Sequence, residues 1–133
     1  RVTLLDSDSH KTGFLVHVAG VIGLTALAVV TRRAEEAAHD PGLRERFDVA
    51  TARALAKPAV LCELTLPFVR VGGTVAALVN HSPAVARAAA PAAPLLGGGD
   101  PEPRPGVLLV PKAAPTPPRF PRRPGVPARR PLR

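Results

Sequence analysis

The chain has 133 residues, with 18 Lys or Arg against 10 Asp or Glu, a net charge of +8 and one cysteine. That length permits a single domain, and one cysteine excludes a disulfide scaffold and fits a reducing, cytoplasmic setting. Charge is uneven: residues 1–80 hold nine basic against eight acidic side chains and residues 81–133 hold nine against two, so a polyanionic partner would meet the C-terminal end.

Strand and helix alternate over the first 80 residues. Val2–Leu5 reads as a short apolar strand ending at Asp6-Ser7, and Asp8 or Ser9 can cap the helix that follows. In that helix Phe14, Leu15, Val18, Val21 and Ile22 recur at helical spacing as one apolar stripe, and Gly23 sits in the usual closing position. Leu27–Val30 is a continuous apolar run, as expected for a parallel strand covered on both faces. A short helix around Glu35–His39 ends at Asp40-Pro41-Gly42. Phe47–Ala52 reads as the next strand, Pro58–Val69 as a helix, Gly72-Gly73 as a turn and Val75–Val79 as a buried strand. This alternation predicts a doubly wound α/β sheet. The run Phe14–Val30 is no membrane span, being shorter than the roughly 20 residues needed and broken by His17. No signal-peptide pattern is read at the N-terminus.

Residues 1–82 thus form the α/β part. Residues 83–106 are rich in Ala, Pro and Gly, including Gly97-Gly98-Gly99, and read as weak helix and loop that bury little. Residues 107–133 form a last apolar strand and a tail. In the tail, proline at 115, 117, 118, 121, 124, 127 and 131 forbids helix or central strand. Arg119, Arg122, Arg123, Arg129 and Arg130 make it an extended cationic arm suited to lie along phosphates. A solvated disordered tail is the plainer reading of the same composition.

In doubly wound sheets, ligands bind beyond the carboxyl ends of the strands. Asp6 with Ser7 ends the first strand, Arg33-Ala34-Glu35 follows the second, and Arg53 ends the third. A carboxylate at Asp6 can accept both hydroxyls of a ribose. Each residue also has an ordinary reading. Asp6 suits any exposed strand end, Glu35 suits the first turn of a helix, and Arg53 suits a surface ion pair. Together on one sheet edge they point to a cofactor site. Cys62 has apolar neighbours and reads as a core thiol. His10, His17, His39 and His81 have no metal-ligand spacing, so no metal is expected.

The blocks Leu4-Leu5-Asp6-Ser7, Gly23-Leu24, Arg33-Ala34-Glu35, Arg46 through Ala54, Leu66-Pro67 and Gly72-Gly73 resemble the small-subunit ribosomal RNA guanine-N7 methyltransferases, the RsmG or GidB family. The tail, Pro115-Thr116-Pro117 with Phe120-Pro121-Arg122-Arg123-Pro124-Gly125, is similar to that family's C-terminal end. The resemblance implies a Rossmann-like S-adenosylmethionine-dependent methyltransferase fold, a bacterial cytoplasmic setting, and 16S rRNA or the small ribosomal subunit as partner. It implies S-adenosylmethionine as cofactor, held by Asp6, Ser7, Ala34, Glu35 and Arg53, with Arg53 also serving the target base. A monomer is expected.

Guanine N7 carries a free lone pair and needs no general base, which agrees with the lack of a paired-carboxylate or Ser/His/Asp constellation. The chain departs from the family's pattern in three places. It begins at what would be the family's second strand, without the first strand and its glycine-rich loop. Val79-Asn80 stands where Lys-Gly is usual, and Pro111 replaces a basic residue. Since the first strand would lie between the strands that begin at Val2 and Phe47, two buried edges should be left unpaired, and a fragment unstable and inactive alone is expected. The alternative is a non-catalytic RNA- or ribosome-binding remnant.

Overall fold

The computed structural model describes residues 1–53 and 57–133. Ala54, at the end of the Arg46–Ala54 block, lies outside the described residues. The order is β1 (Val2–Asp6), α1 (Ser9–Val21), β2 (Leu27–Thr31), α2 (Ala34–Ala37), β3 (Phe47–Arg53), α3 (Pro58–Thr65), β4 (Val69–Leu78), α4 (Ser82–Ala89), β5 (Glu102–Arg104), β6 (Val107–Pro111) and α5 (Val126–Arg129), with short 3-10 turns at Leu66–Phe68 and Pro94–Leu96.

The strands form two sheets. β1 and β2 pair in parallel, with Asp6 level with Thr31. The second sheet runs β3-β4-β6-β5, with β3 and β4 parallel and β6 antiparallel to both its neighbours. Among the described residues, β1 pairs only with β2 and β3 only with β4. Each therefore keeps one free ladder edge, the pair of edges expected to lie unpaired.

Local rules explain most boundaries. Asp8 caps α1 by accepting the His10 N–H at 2.8 Å, and Gly23 follows the C-cap at φ +73°. The stripe expected on α1 is half realised: Leu15 and Val18 are half-buried, whereas Phe14, Val21 and Ile22 are 65, 72 and 62% exposed. The helix instead buries Thr12 and Ala19, because the two-stranded sheet beneath it is too narrow to cover the whole stripe. α3 stops at Thr65, earlier than the expected Val69, where Pro67 removes a donor and the chain tightens into a 3-10 turn. The pair Gly72-Gly73 lies inside β4 and not ahead of it. It forms an irregularity opposite Phe47–Val49, where a Cβ on Gly73 would stand 2.4 Å from the Asp48 carbonyl oxygen.

One buried cluster joins α3, β4, α4, β6 and the tail. Leu66, Val69, Val75, Leu96, Leu108 and Val110 are fully buried, with Phe120 at 4% exposure. Each such side chain contributes about 1.5–3 kcal/mol relative to exposure. The alanine-rich stretch, expected to bury little, is part of this core: Ala89, Ala92 and Ala93 are fully buried. Their small side chains let α4 and the turn after it approach the sheet closely. Gly97 allows the next turn at φ +81°, where a Cβ would meet the Ala114 carbonyl oxygen at 2.1 Å.

The tail departs most from expectation. It packs against the body, burying Phe120, Pro121 and Pro127, and ends in the helical turn α5 with Pro127 in its first turn, where proline is tolerated. Pro111 closes β6 beyond the last residue paired with β5, so its missing N–H costs no ladder bond on that side.

Candidate functional site

The two free edges face a cleft of about 650 Å³ lined by β1, β3 and the flanking helices. Leu4 and Leu5 contribute from β1, Val49 and Ala52 from β3, and Leu15 and Phe68 from the helical layer. Three of the residues singled out from sequence, Asp6, Ala34 and Arg53, line this one space. It follows from strand ends and connections: Asp6 ends β1, Arg53 ends β3, and Ala34 opens α2 just after β2.

The Asp6 carboxylate is half-buried and oriented by its own turn. One oxygen accepts the Asp8 N–H at 2.8 Å, and the Asp6 carbonyl accepts the Arg32 N–H at 3.1 Å. Thr12 Oγ1 and Thr31 Oγ1, 2.7 Å apart, tie α1 to the end of β2 beside it. An ionised carboxylate can accept several hydrogen bonds, so Asp6 retains capacity for further donors such as paired hydroxyls. Asp6 also borders a second hollow of about 490 Å³ with His10, Lys11, Phe14 and Leu15. Arg53 is exposed at the cleft and is joined to Asp6 by no ion pair.

Glu35 and Ser7 are placed otherwise. Ser7 is exposed in the turn and does not line the cleft. Glu35 is 5% exposed, and its Oε1 accepts both Arg33 Nη2 and the Gly125 N–H at 3.0 Å. Burial raises the pKa of this carboxyl, but the Arg33 and Gly125 hydrogen bonds more than offset it, leaving it below the usual value. The carboxylate expected at the cofactor is thus engaged by the tail. One residue after Ala34 in α2, Glu35 is turned about 100° round the helix from it.

The tail arginines divide in two. Arg122 closes on the fully buried Glu63, with Nε at 2.9 Å from Oε1 and Nη2 at 2.6 Å from Oε2, while its backbone N–H donates to Oε1. Of the tail arginines expected to lie along phosphates, this one has its guanidinium engaged within the fold, where a buried carboxylate left alone would be costly. Arg119, Arg123, Arg129 and Arg130 are exposed, with Arg119 stacked 4.9 Å from the Phe120 ring centre.

Other residues found by the structure had no local signal. Arg44 donates to the carbonyls of Ala38, Thr116, Pro117 and Phe120. Lys112 is fully buried, its Nζ donating to Leu66 O, Val69 O and Thr116 Oγ1 and lying 3.1 Å from Glu45. Burial lowers its pKa, opposed by Glu45. The single cysteine is buried and its thiol is pushed up to about 12 by desolvation, so it is no nucleophile at neutral pH. Among the described residues no three His, Cys, Asp or Glu side chains are grouped to hold a metal, and no helix is long and apolar enough to cross a membrane.

The architecture is mixed α/β and Rossmann-like, with a cleft that runs along the free edges of β1 and β3 and reaches the strand ends at Asp6 and Arg53. A crystal structure of a Corynebacterium glutamicum protein shares the fold, with a TM-score of 0.57 and 16% identity over 84% of this chain and 60% of that one. The family model for rRNA small subunit methyltransferase G, GidB, matches residues 1–96, and the chain belongs to that family. Proteins named ribosomal RNA small subunit methyltransferase G are similar along nearly its whole length. That of Roseiflexus castenholzii is 42% identical over 99% of this chain and 61% of its own. That of Roseiflexus sp. strain RS-1 is 43% identical over 99% and 61%, and that of Geobacillus thermodenitrificans 38% over 99% and 60%. The chain therefore spans about three fifths of the length of these curated relatives.

Proposed function

We propose that this chain carries the cofactor and RNA surfaces of an S-adenosylmethionine-dependent methyltransferase acting on N7 of a guanine in 16S rRNA. The observation that carries the reading is the meeting of Asp6, Ala34 and Arg53 on one cleft within the segment that matches the family.

The residues present fit the cofactor. Asp6, fixed by the Asp8 N–H, would accept the ribose hydroxyls. Ala34, without bulk, would leave room for a flat base, and the apolar walls from β1 and β3 would exclude water. The cofactor would supply an electrophilic methyl on a sulfonium. Arg53 would donate to guanine O6, an edge that suits arginine geometrically, and so hold the base in line. Guanine N7 brings its own lone pair, so no side chain need remove a proton. Alignment and exclusion of water would carry the rate. Arg119, Arg123, Arg129 and Arg130 would contact phosphates.

The test is a calorimetric titration of S-adenosylmethionine into the 133-residue chain, with circular dichroism on the same sample. Saturable binding abolished by Asp6→Ala supports the reading; an ordered chain that binds no cofactor counts against it. One observation favours the second reading, an RNA-binding remnant without catalysis: the sheet is split along the cleft, beside the residues that would hold the cofactor. RNA binding with no cofactor binding would select it.

A further inference from the structure

The tail meets the body at four polar stations. Lys112 and Thr116 form the first: Thr116 N–H donates to Glu45 Oε1 at 2.7 Å, and Thr116 Oγ1 donates to Leu96 O at 2.7 Å. At the second, the Arg44 guanidinium spans Ala38 O, at the end of α2, and the tail carbonyls of Thr116, Pro117 and Phe120, at 2.8–3.1 Å. His39 Nε2 lies beside it, 2.8 Å from Pro121 O. The third is Arg122 with Glu63, and the fourth is the Gly125 N–H on Glu35.

Three of these stations converge on one piece of chain. Glu35, Ala38, His39, Arg44 and Glu45 all belong to residues 32–46, the connection from β2 to β3. The same connection supplies Ala34 to the cleft. Its own regular structure is only four residues of helix, far below what holds itself in water. Glu45 even sits at φ +52°, a strained position for a residue with a side chain, while its carboxylate grips Thr116 and Lys112. The connection also has turns of its own around Asp40 and packs Ala37, Ala38 and Leu43 with Phe68, but Glu35, His39, Arg44 and Glu45 all bind the tail.

We propose that residues 112–127 are a positioning clasp for the cleft: they fix the 32–46 connection, and through it Ala34, so that ligand binding in the cleft and order in the tail are coupled. The coupling rests on the cofactor reading of the cleft. Glu35 and Arg44 are then positioning residues that act through the connection. Coupling is reciprocal. A ligand in the cleft must tighten the tail, and a loosened tail must weaken the ligand.

Amide hydrogen exchange on the 133-residue chain, with and without S-adenosylmethionine, tests this in the wild type, Arg44→Met and Arg44→Lys. Arg44→Met should speed exchange across residues 37–45 and 120–125 by about tenfold or more, with Val75 and Val110 unchanged. It should weaken cofactor affinity by about tenfold. Arg44→Lys, which keeps the charge and reaches fewer carbonyls, should fall between. Added cofactor should slow the Arg122 and Gly125 amides, neither of which lines the cleft. Unchanged exchange of the connection in Arg44→Met overturns the clasp. So does acceleration of Val75 and Val110 in step with it, since tail and connection would then belong to one cooperative core. If no cofactor binds the wild type, the cofactor reading and its coupling fall, and the exchange pattern alone still decides whether the tail holds the connection.

Discussion

Glu63 and Arg122 show how much a single pair can decide. The carboxylate is fully buried and receives three hydrogen bonds, all from Arg122. Removing the arginine side chain strands a charge in the interior, and Arg122→Ala should cost about 3 kcal/mol of stability. Joint replacement, Glu63→Leu with Arg122→Met, should recover much of that loss, because no charge is then left alone. Urea unfolding midpoints of the two variants check this; equal losses would mean the pair contributes only shape. Glu35 and Glu45 make a second prediction, in pH. Burial raises both carboxyls, yet their hydrogen bonds and cationic neighbours hold them below the ordinary 4.5. A carboxyl with a lowered folded pKa contributes stability that is present above its unfolded value and is lost as pH falls through the folded one. Stability should therefore decline below about pH 4.5, and Glu35→Gln with Glu45→Gln should flatten that decline. A wild-type stability flat from pH 6 to pH 3 would refute it.

At the scale of elements, the free edges of β1 and β3 are the distinctive feature. Leu4 and Leu5 on one wall and Val49 and Ala52 on the other leave a slot with apolar sides and unpaired backbone on both margins. The length of the slot between the two edges suits an extended apolar strand, which would join the two sheets into one and leave the strand ends at Asp6 and Arg53 for the ligand. A short peptide of alternating Val and Ile with charged ends, added in trans, should raise the melting temperature in a concentration-dependent way and lower binding of an apolar dye. A proline at every second position should abolish the effect by removing its donors; an equal effect from the proline peptide would sink the idea. Much of this was legible in the sequence. Val2–Leu5, Leu27–Val30 and Phe47–Ala52 are local apolar runs, and Asp6, Ala34 and Arg53 follow from where those runs end. What was not legible depends on distant partners. Nothing near Arg122 announces Glu63, 59 residues away, and nothing near Glu35 announces Gly125, 90 away. Ala89, Ala92 and Ala93 looked like filler because a small side chain shows its packing value only beside the surface it touches.

For the molecule as a whole, the excess charge at the C-terminal end is displayed on a docked surface. Phe120, Pro121 and Pro127 are buried and anchor the segment, so Arg119, Arg123, Arg129 and Arg130 stand on a backbone already ordered before any polyanion arrives. That lowers the ordering cost of binding relative to a free arm and separates two kinds of arginine by what they touch. An exposed arginine that meets a phosphate releases counterions, whereas Arg122, already neutralised by Glu63, releases almost none. The salt dependence of RNA binding should reflect this division. Neutralising Arg129 and Arg130 to Gln should reduce the slope of log affinity against log salt by up to about two units. Arg122→Lys, which retains the charge beside Glu63, should leave the slope unchanged while lowering thermal stability. Measured between 50 and about 200 mM salt, an unchanged slope in the double variant would remove the tail face from the RNA contact. A slope that falls in Arg122→Lys would show that this guanidinium leaves Glu63 to meet phosphate.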